Sequence, residues 1–119
     1  MEFKKILIVE DDLFSAEYLV EVLSDTNVKV TLTKNGSEAV ELVKKEEFDL
    51  VLMDIQLPGI SGDKATELIR KFNKDIPIIA QTAHAMSNDR EKYLKAGCTD
   101  YLAKPILITD LFIVLKKYL

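Results

Sequence analysis

Two short apolar runs limit what this chain can fold into. They are ILIV at 6–9 and LVLM at 50–53, and acidic residues follow each run directly. An apolar run of this length without alternation is typical of a strand buried on both faces of a parallel sheet. Such strands need helices over both faces, so the two runs predict an α/β domain.

The rest of the chain supplies the helices and the remaining strands. Strands are predicted at 6–9, 28–32, 50–53, 76–80 and 101–102, and apolar residues recur at helical spacing between and after them. The helices are predicted from residues 88–96 and from four stripes: Leu13, Ala16, Leu19, Val20 and Leu23; Ala39, Val40 and Val43; Ala65, Leu68, Ile69 and Phe72; and Leu111, Leu115, Tyr118 and Leu119. Asn35 and Glu38 indicate a capping box, and Gly97 indicates a helix C-cap. Strand then helix, five times over, favours a parallel sheet with helices on both faces.

Composition and length set the broad class. The chain has 119 residues, of which 48% are hydrophobic and 30% charged, which predicts one soluble domain over 1–119 and no output domain. The net charge of -4 and the scattered basic residues argue against a nucleic-acid surface. No apolar run reaches membrane-spanning length. The lone Cys98 cannot form an internal disulfide, so we expect it to be packed and the protein to be cytoplasmic.

Polar residues follow four of the predicted strands. They are Glu10, Asp11 and Asp12 after the first strand, Asp54 after the third, Thr82 after the fourth and Lys104 after the fifth. In open α/β sheets, ligands bind beyond the carboxyl ends of the strands. We therefore expect these distant residues to converge on one edge of the sheet.

The chemistry of this set is specific. Crowded carboxylates repel one another unless a cation joins them, and a set of oxygens with water suits Mg²⁺. A carboxylate can attack phosphorus to give an aspartyl-phosphate, and that transfer needs a metal and a lysine to neutralise the phosphoryl oxygens. Asp54, Lys104, Thr82 and Mg²⁺ together predict phosphoryl transfer onto Asp54.

The motifs ILIVEDD, LVLMDIQLPGISG, IIAQTA and AGCTDYLAKP, in that order, resemble those of a response-regulator receiver domain of two-component phosphorelays. The resemblance covers essentially the whole chain. It implies a flavodoxin-like (βα)5 fold with strand order 2-1-3-4-5. It also implies a signalling switch rather than a turnover enzyme, which takes a phosphoryl group from a histidine kinase or a histidine phosphotransfer protein and catalyses its own phosphorylation and slow dephosphorylation.

The resemblance implies a phosphoacceptor and its metal ligands. Asp54 matches the phosphoacceptor. Asp11 matches the direct Mg²⁺ ligand, and Glu10 matches a ligand that acts through water. Asp54 itself and the backbone carbonyl of Gln56 complete the implied metal site.

The resemblance also implies a set of switch residues. Lys104 would pair with the phosphoryl group or with Asp54, and Thr82 would bond a phosphoryl oxygen when its loop moves. Tyr101 would be the aromatic residue whose rotamer reports that movement. A cis peptide is expected before Pro105. The plainer interpretations are that Thr82 is a turn residue and that Tyr101 is packed without switching.

The last helix departs from the family pattern. Leu107 stands where the family usually has a polar capping residue, and it cannot cap a helix. Phe112 and Ile113 lie outside the apolar stripe that the helix needs for burial. We expect Leu107, Phe112 and Ile113 to belong to an interface on the face made by the fourth helix, the fifth strand and the last helix. That interface would bind a downstream target or a second copy of the protein. Ordinary scattered exposure of apolar residues is the alternative.

Other functions fit the sequence less well. A phosphohydrolase that forms an aspartyl-phosphate would need an acid two residues after Asp54, where this chain has Gln56. A flavin or nucleotide carrier would need a phosphate-cradling first loop, and this loop is acidic. A degenerate receiver would lack part of the site, which is intact here. His84, the only histidine, is predicted to be an exposed loop residue rather than a phosphocarrier.

Overall fold

The computed structural model describes residues 4–83 and 87–119, with the side chains of 4–83 and 90–119. Its elements are β1 (Lys4–Val9), α1 (Leu13–Leu23), β2 (Val28–Thr33), α2 (Gly36–Lys45), β3 (Leu50–Asp54), α3 (Gly62–Arg70), β4 (Ile78–Thr82), α4 (Ser87–Ala96), β5 (Asp100–Ala103) and α5 (Ile108–Tyr118). These strands pair in parallel in the order β2-β1-β3-β4-β5. The predicted fold class and strand order are confirmed.

Both faces of the sheet are covered by helices. Successive residues of a strand point to opposite faces. Leu7 and Val9 of β1 therefore join a core with α2, α3 and α4, whereas Ile6 and Ile8 join a core with α1 and α5. Every residue of β3 and β4 is buried, which explains why these segments show little alternation between apolar and polar residues. None of the helices in the described part of the chain is long and apolar enough to cross a membrane.

Polar side chains begin two of the helices that flank the site edge. The Asp12 carboxylate accepts from the Ser15 backbone N–H at 3.0 Å and begins α1. The Ser61 hydroxyl accepts from the Lys64 backbone N–H at 3.4 Å and begins α3. By contrast, α5 begins after Leu107 without a side-chain cap, as the sequence predicts.

The predicted capping box is formed only in part. The Asn35 side chain accepts from the Glu38 backbone N–H at 2.7 Å. The Glu38 carboxylate accepts a hydrogen bond from the Thr33 hydroxyl instead of turning back to the Asn35 backbone. The predicted C-cap of α4 is confirmed, because Gly97 follows the helix with a φ of 112°, where glycine is favoured.

The apolar stripe of α1 is narrower than its sequence suggests. Ala16, Leu19 and Leu23 are buried, but 54% of Leu13 and 37% of Val20 are exposed. Val20 lies a further 100° around the helix from Leu19, at the margin of the buried face. Leu13 lies in the first turn, close to the carboxyl edge of the sheet. The predicted helix is confirmed, and Leu13 and Val20 share its apolar spacing without being buried.

Two further boundaries differ from the sequence prediction. The third helix ends at Arg70, so Phe72 lies beyond it and is largely exposed beneath the Lys44 ammonium, which is 5.5 Å from the ring centroid. The strand predicted from Ile76 begins at Ile78. Ile76 is nevertheless buried in the core, and burial is the property that the apolar pattern detects.

Gly62 lies against the end of β3 and fixes the path of the chain there. Its backbone N–H donates to the Ile55 carbonyl oxygen at 2.8 Å. A Cβ atom on Gly62 would lie 2.0 Å from the backbone oxygen of Asp54, a distance that real Cβ atoms do not adopt. The loop after β3 can therefore close on Asp54 only with glycine at position 62.

We expect Gly62→Ala to destabilise the protein by about 2 kcal/mol or more, because the added methyl group must displace the Asp54 backbone. Urea unfolding followed by circular dichroism would measure the loss. Lys64→Ala, an exposed change on the same helix, is the control and should stay within about 0.5 kcal/mol of wild type. An alanine variant as stable as wild type would show that the loop has room to shift.

Candidate functional site

Three carboxylates meet at the carboxyl edge of the sheet. Asp54 ends β3, and Glu10 and Asp11 follow β1, the strand beside it. One carboxylate oxygen from each of the three residues lies within 4.8 Å of those of the other two. Glu10 and Asp54 are buried, whereas Asp11 faces solvent. The predicted convergence of these acids is observed.

Lys104 reaches the same cluster from the far end of the chain. Its ammonium nitrogen lies 3.0 Å from Glu10 Oε1 and 3.1 Å from Asp54 Oδ1. The Lys104 backbone N–H donates to the Thr82 carbonyl oxygen at 2.8 Å, which anchors the end of β5 to β4. The peptide before Pro105 is cis, as expected. The sequence predicts the pairing of Lys104 with Asp54 but not the second partner, Glu10.

The electrostatics of the cluster leave it short of positive charge. Burial, together with the adjacent Glu10 carboxylate, raises the pKa of Asp54 to about 7, against the opposing effect of Lys104. Burial alone would lower the pKa of Lys104, but hydrogen bonds to Glu10 and Asp54 outweigh it and raise that pKa. When Asp54 is ionised, three carboxylates face one ammonium. A divalent cation would balance the remaining charge.

The donor set fits Mg²⁺. Glu10, Asp11 and Asp54 offer only carboxylate oxygens, which are the ligands that hard divalent cations prefer. The exposed position of Asp11 leaves room for the waters that Mg²⁺ retains. The Gln56 backbone N–H donates to Asp54 Oδ1 at 3.3 Å, which holds the loop against the acid. The role of the Gln56 carbonyl as a ligand stays a prediction.

Thr82 and Tyr101 lie on the side of the site that faces α4. Thr82 is buried, and its hydroxyl lies 3.0 Å from the hydroxyl of Tyr93 on α4. Tyr101 is half-buried, with the Arg90 guanidinium 5.6 Å from its ring centroid. Their roles as switch residues stay predictions. Sequence reasoning missed Tyr93. This residue is buried, but its helix, α4, shows no apolar stripe that would predict a buried face.

Sequence reasoning also missed Gln81, which precedes Thr82. Its side chain is fully buried, and among the described residues neither its amide nitrogen nor its amide oxygen has a hydrogen-bond partner. The only signal available was a polar residue inside an otherwise apolar strand.

The three predicted interface residues are exposed but have different neighbours. Leu107 lines a groove with Phe14 and Tyr18 of α1, and 58% of Leu107 is exposed. Ile113 is 65% exposed and lines a hollow with Tyr101 of β5. Phe112 is 38% exposed on the same helix. Their role as an interface stays a prediction.

Cys98 and His84 complete the residues singled out from the sequence. Cys98 is buried, with its sulfur 3.8 Å from the Thr66 hydroxyl oxygen, and burial raises the pKa of its thiol to about 11. A thiol of this kind is a packed residue rather than a nucleophile, as predicted. His84 lies outside the described residues.

Comparison with known proteins identifies the family. The model of the response regulator receiver domain matches residues 6–116. The chain belongs to this family. The hybrid signal transduction histidine kinase G of Dictyostelium discoideum is 44% identical over 119 aligned residues. That alignment covers 96% of this chain but 4% of the relative's length, so the chain spans only a small part of that protein.

Two solved structures of receiver domains are similar over nearly the whole chain. One is the receiver domain of the sensor histidine kinase PA1611 of Pseudomonas aeruginosa, described with a magnesium ion in its active-site cleft. It has a TM-score of 0.91 and 37% identity, and the match covers 98% of each chain. The other comes from the Saccharomyces cerevisiae complex of the phosphotransfer protein Ypd1 with the receiver domain of Ssk1. It has a TM-score of 0.92 and 34% identity, and the match covers 98% of this receiver and 88% of that chain.

We expect Asp54→Asn to raise the melting temperature of the metal-free protein at pH 8 by about 5 °C. The pKa of Asp54 is about 7 in the folded protein and 3.8 ordinarily, so the folded state disfavours the charged form. The destabilisation is therefore absent below pH 4, grows between pH 4 and pH 7, and levels off above pH 7. Calorimetry with EDTA from pH 4 to 8 would measure the difference.

Asp25→Asn, an exposed change in the turn after α1, is the control for this pH dependence. It should leave the melting temperature close to wild type at every pH. If the Asp54→Asn variant gained more stability at pH 5 than at pH 8, the raised pKa of Asp54 would be contradicted.

Proposed function

We propose that this domain accepts a phosphoryl group from a phosphohistidine donor onto Asp54 and acts as a signalling switch. The observation that supports this most strongly is the Lys104 ammonium, 3.1 Å from Asp54 Oδ1 at an edge where Glu10 and Asp11 add two carboxylates. A nucleophile, a cation for the phosphoryl oxygens and a set of metal ligands are therefore present together.

The transfer is a displacement at phosphorus. A carboxylate oxygen of Asp54 forms the new O–P bond while the P–N bond to the donor imidazole breaks, and the imidazole keeps the electron pair of that bond. Mg²⁺, held by Asp11 and Asp54, by Glu10 through water and by the Gln56 carbonyl, would neutralise charge on the phosphoryl oxygens. Lys104 neutralises charge from the other side.

The switch uses Thr82. Its hydroxyl now lies 3.0 Å from that of Tyr93, and a bond to a phosphoryl oxygen on Asp54 would compete with this contact. Such a change would alter the packing of Tyr93 on α4 and free Tyr101 of β5 to change rotamer. The face built from α4, β5 and α5 would thereby report phosphorylation.

The proposed donors are a histidine kinase or a histidine phosphotransfer protein. In support, a similar receiver domain was crystallised with the phosphotransfer protein Ypd1, and the relative from Dictyostelium discoideum is named as a hybrid histidine kinase. Asp11 is exposed at the same edge, so this edge of the site faces solvent, although Asp54 itself is buried. In this proposal, the domain is cytoplasmic and catalyses its own phosphorylation and slow dephosphorylation.

Intact-mass spectrometry after incubation with acetyl phosphate tests the phosphoacceptor. We expect one phosphoryl adduct that forms with Mg²⁺ and is lost when EDTA removes the metal. Asp54→Asn should give no adduct under either condition, because the amide is not a nucleophile toward phosphorus.

Asp49→Asn, near the opposite edge of the sheet, is the matched control and should be modified like wild type. An adduct that persists in Asp54→Asn would contradict the assignment. If no adduct forms on wild type even with a phosphorylated histidine phosphotransfer protein as donor, the proposed function fails.

Placing a negative charge at exposed apolar residues tests whether the face built from α4, β5 and α5 is an interface. We expect Ile113→Glu and Phe112→Glu to weaken the phosphorylation-dependent association of the domain, with itself or with its target, by about tenfold, since a glutamate buried at an interface must lose its hydration. Analytical ultracentrifugation of phosphorylated protein would measure self-association, and titration calorimetry would measure target binding.

Leu32→Glu is the control, because Leu32 is similarly exposed but lies on β2, the strand at the opposite side of the sheet from β5. Variants at 112 and 113 that bind every partner as tightly as wild type would rule the face out as an interface.

A further inference from the structure

Gln81 is an exception to ordinary hydrogen-bond satisfaction. Buried side-chain amides normally have partners, and an unpaired buried polar group costs about 1–3 kcal/mol. Gln81 is 0% exposed, and both of its amide atoms lack a partner in the part of the chain that the structure describes. A strand residue with no polar task would be expected to be apolar, as Ile79 is on the same face of β4. The amide therefore suggests a partner in another state of the site.

The register of the sheet places Gln81 beside the candidate site. Gln81 is the β4 partner of Asp54 on one side and of Leu102 on the other. Paired residues of parallel strands point to the same face, so the side chains of Asp54 and Gln81 lie on adjacent strands facing α1 and α5. Lys104 follows Leu102 by two residues. The amide thus lies next to both partners of the Asp54–Lys104 ion pair.

Lys104 has room to move on this side. Gln81, Glu10 and Lys104 all line one groove of about 730 Å³ between α1 and the loop after β5. The Lys104 side chain is 25% exposed, so it is not locked by packing on every side. Gln81 forms part of the wall of this groove, and its buried amide oxygen has no donor within the described structure.

Lys104 contacts one carboxylate oxygen on each of two candidate metal ligands. Those ligands are Glu10 and Asp54, two of the three candidates. An ammonium and a divalent cation a few ångströms apart repel each other strongly in a partly buried site. Binding of the metal must therefore weaken the contacts of the Lys104 ammonium with Glu10 and Asp54. The ammonium then lacks an acceptor for at least one of its N–H groups.

We propose that Gln81 is the acceptor to which the Lys104 ammonium moves when a divalent cation takes up the Glu10 and Asp54 carboxylates. The amide oxygen accepts one N–H of the ammonium, and Lys104 stays poised beside Asp54. Gln81 is thus a positioning residue for Lys104. The inference rests on the magnesium site of the proposed function and adds a residue to it.

Calorimetric titration with MgCl₂ tests this in Gln81→Met, which replaces the amide with an apolar side chain of similar length. We expect the variant to bind Mg²⁺ about tenfold more weakly, which corresponds to the loss of one hydrogen bond to a charged group. Without metal, its melting temperature should instead rise by several degrees, because an unpaired buried amide has been removed.

A double-mutant cycle assigns the effect to Lys104. In a Lys104→Met background, Gln81→Met should leave Mg²⁺ affinity unchanged within twofold, because no ammonium needs an acceptor. Ile79→Val is the matched control on the same strand and face. It should lower the melting temperature without changing Mg²⁺ affinity.

The outcomes separate this inference from the proposed function. If wild type binds Mg²⁺ and Gln81→Met binds it equally well, the inference is overturned and Gln81 has no role in metal uptake. A tenfold loss that persists in the Lys104→Met background also overturns it, since Gln81 would then act without the lysine. If wild type itself binds no Mg²⁺ at millimolar concentration, the magnesium site of the proposed function fails first.

Discussion

The ion pairs of Lys104 with Glu10 and Asp54 join the two ends of the chain at one edge of the sheet. Glu10 and Lys104 are 94 positions apart, yet Glu10 Oε1 and the ammonium nitrogen are 3.0 Å from each other. Two buried carboxylates with no cation would be strongly destabilising, because an unpaired charge loses its hydration without compensation. The strand order makes the pairing possible, since it brings the ends of β1, β3, β4 and β5 to adjacent positions.

The burial of Asp54 lowers the stability of the metal-free protein but places a nucleophile in the site. Burial raises the pKa of Asp54 to about 7, so near neutral pH a substantial fraction of its carboxyl group is protonated in the metal-free protein. A metal would draw the group into its ionised form, which is the nucleophile. The metal-free protein is therefore least stable when Asp54 is ionised, because three carboxylates then face one ammonium. This ionised state also binds a divalent cation most strongly.

Much of the fold could be predicted because it follows from local patterns. The runs at 6–9 and 50–53 lack polar residues, since strands buried on both faces have no solvent side, and their acidic ends mark the site edge. The exposure of Leu13 and the end of the third helix before Phe72 could not be predicted, because an apolar residue at helical spacing does not reveal where the helix leaves the core. Gln81 and Tyr93 escaped prediction for other reasons. The significance of Gln81 depends on which residues lie beside it in the sheet, and only the strand register determines that. Tyr93 is buried on α4, a helix without an apolar stripe.

In the proposed switch, residues 81 and 82 would respond to phosphorylation and to metal binding on opposite faces of the sheet. Successive strand residues point in opposite directions, so Thr82 contacts Tyr93 on the side of α4 while Gln81 faces α1 and α5. A phosphoryl group that draws Thr82 toward Asp54 would act on the first side. A cation that displaces Lys104 toward Gln81 would act on the second. Metal binding and phosphorylation at one carboxylate would then be sensed by different helices, which would account for the two buried polar residues at the end of β4, where packing alone would favour apolar ones.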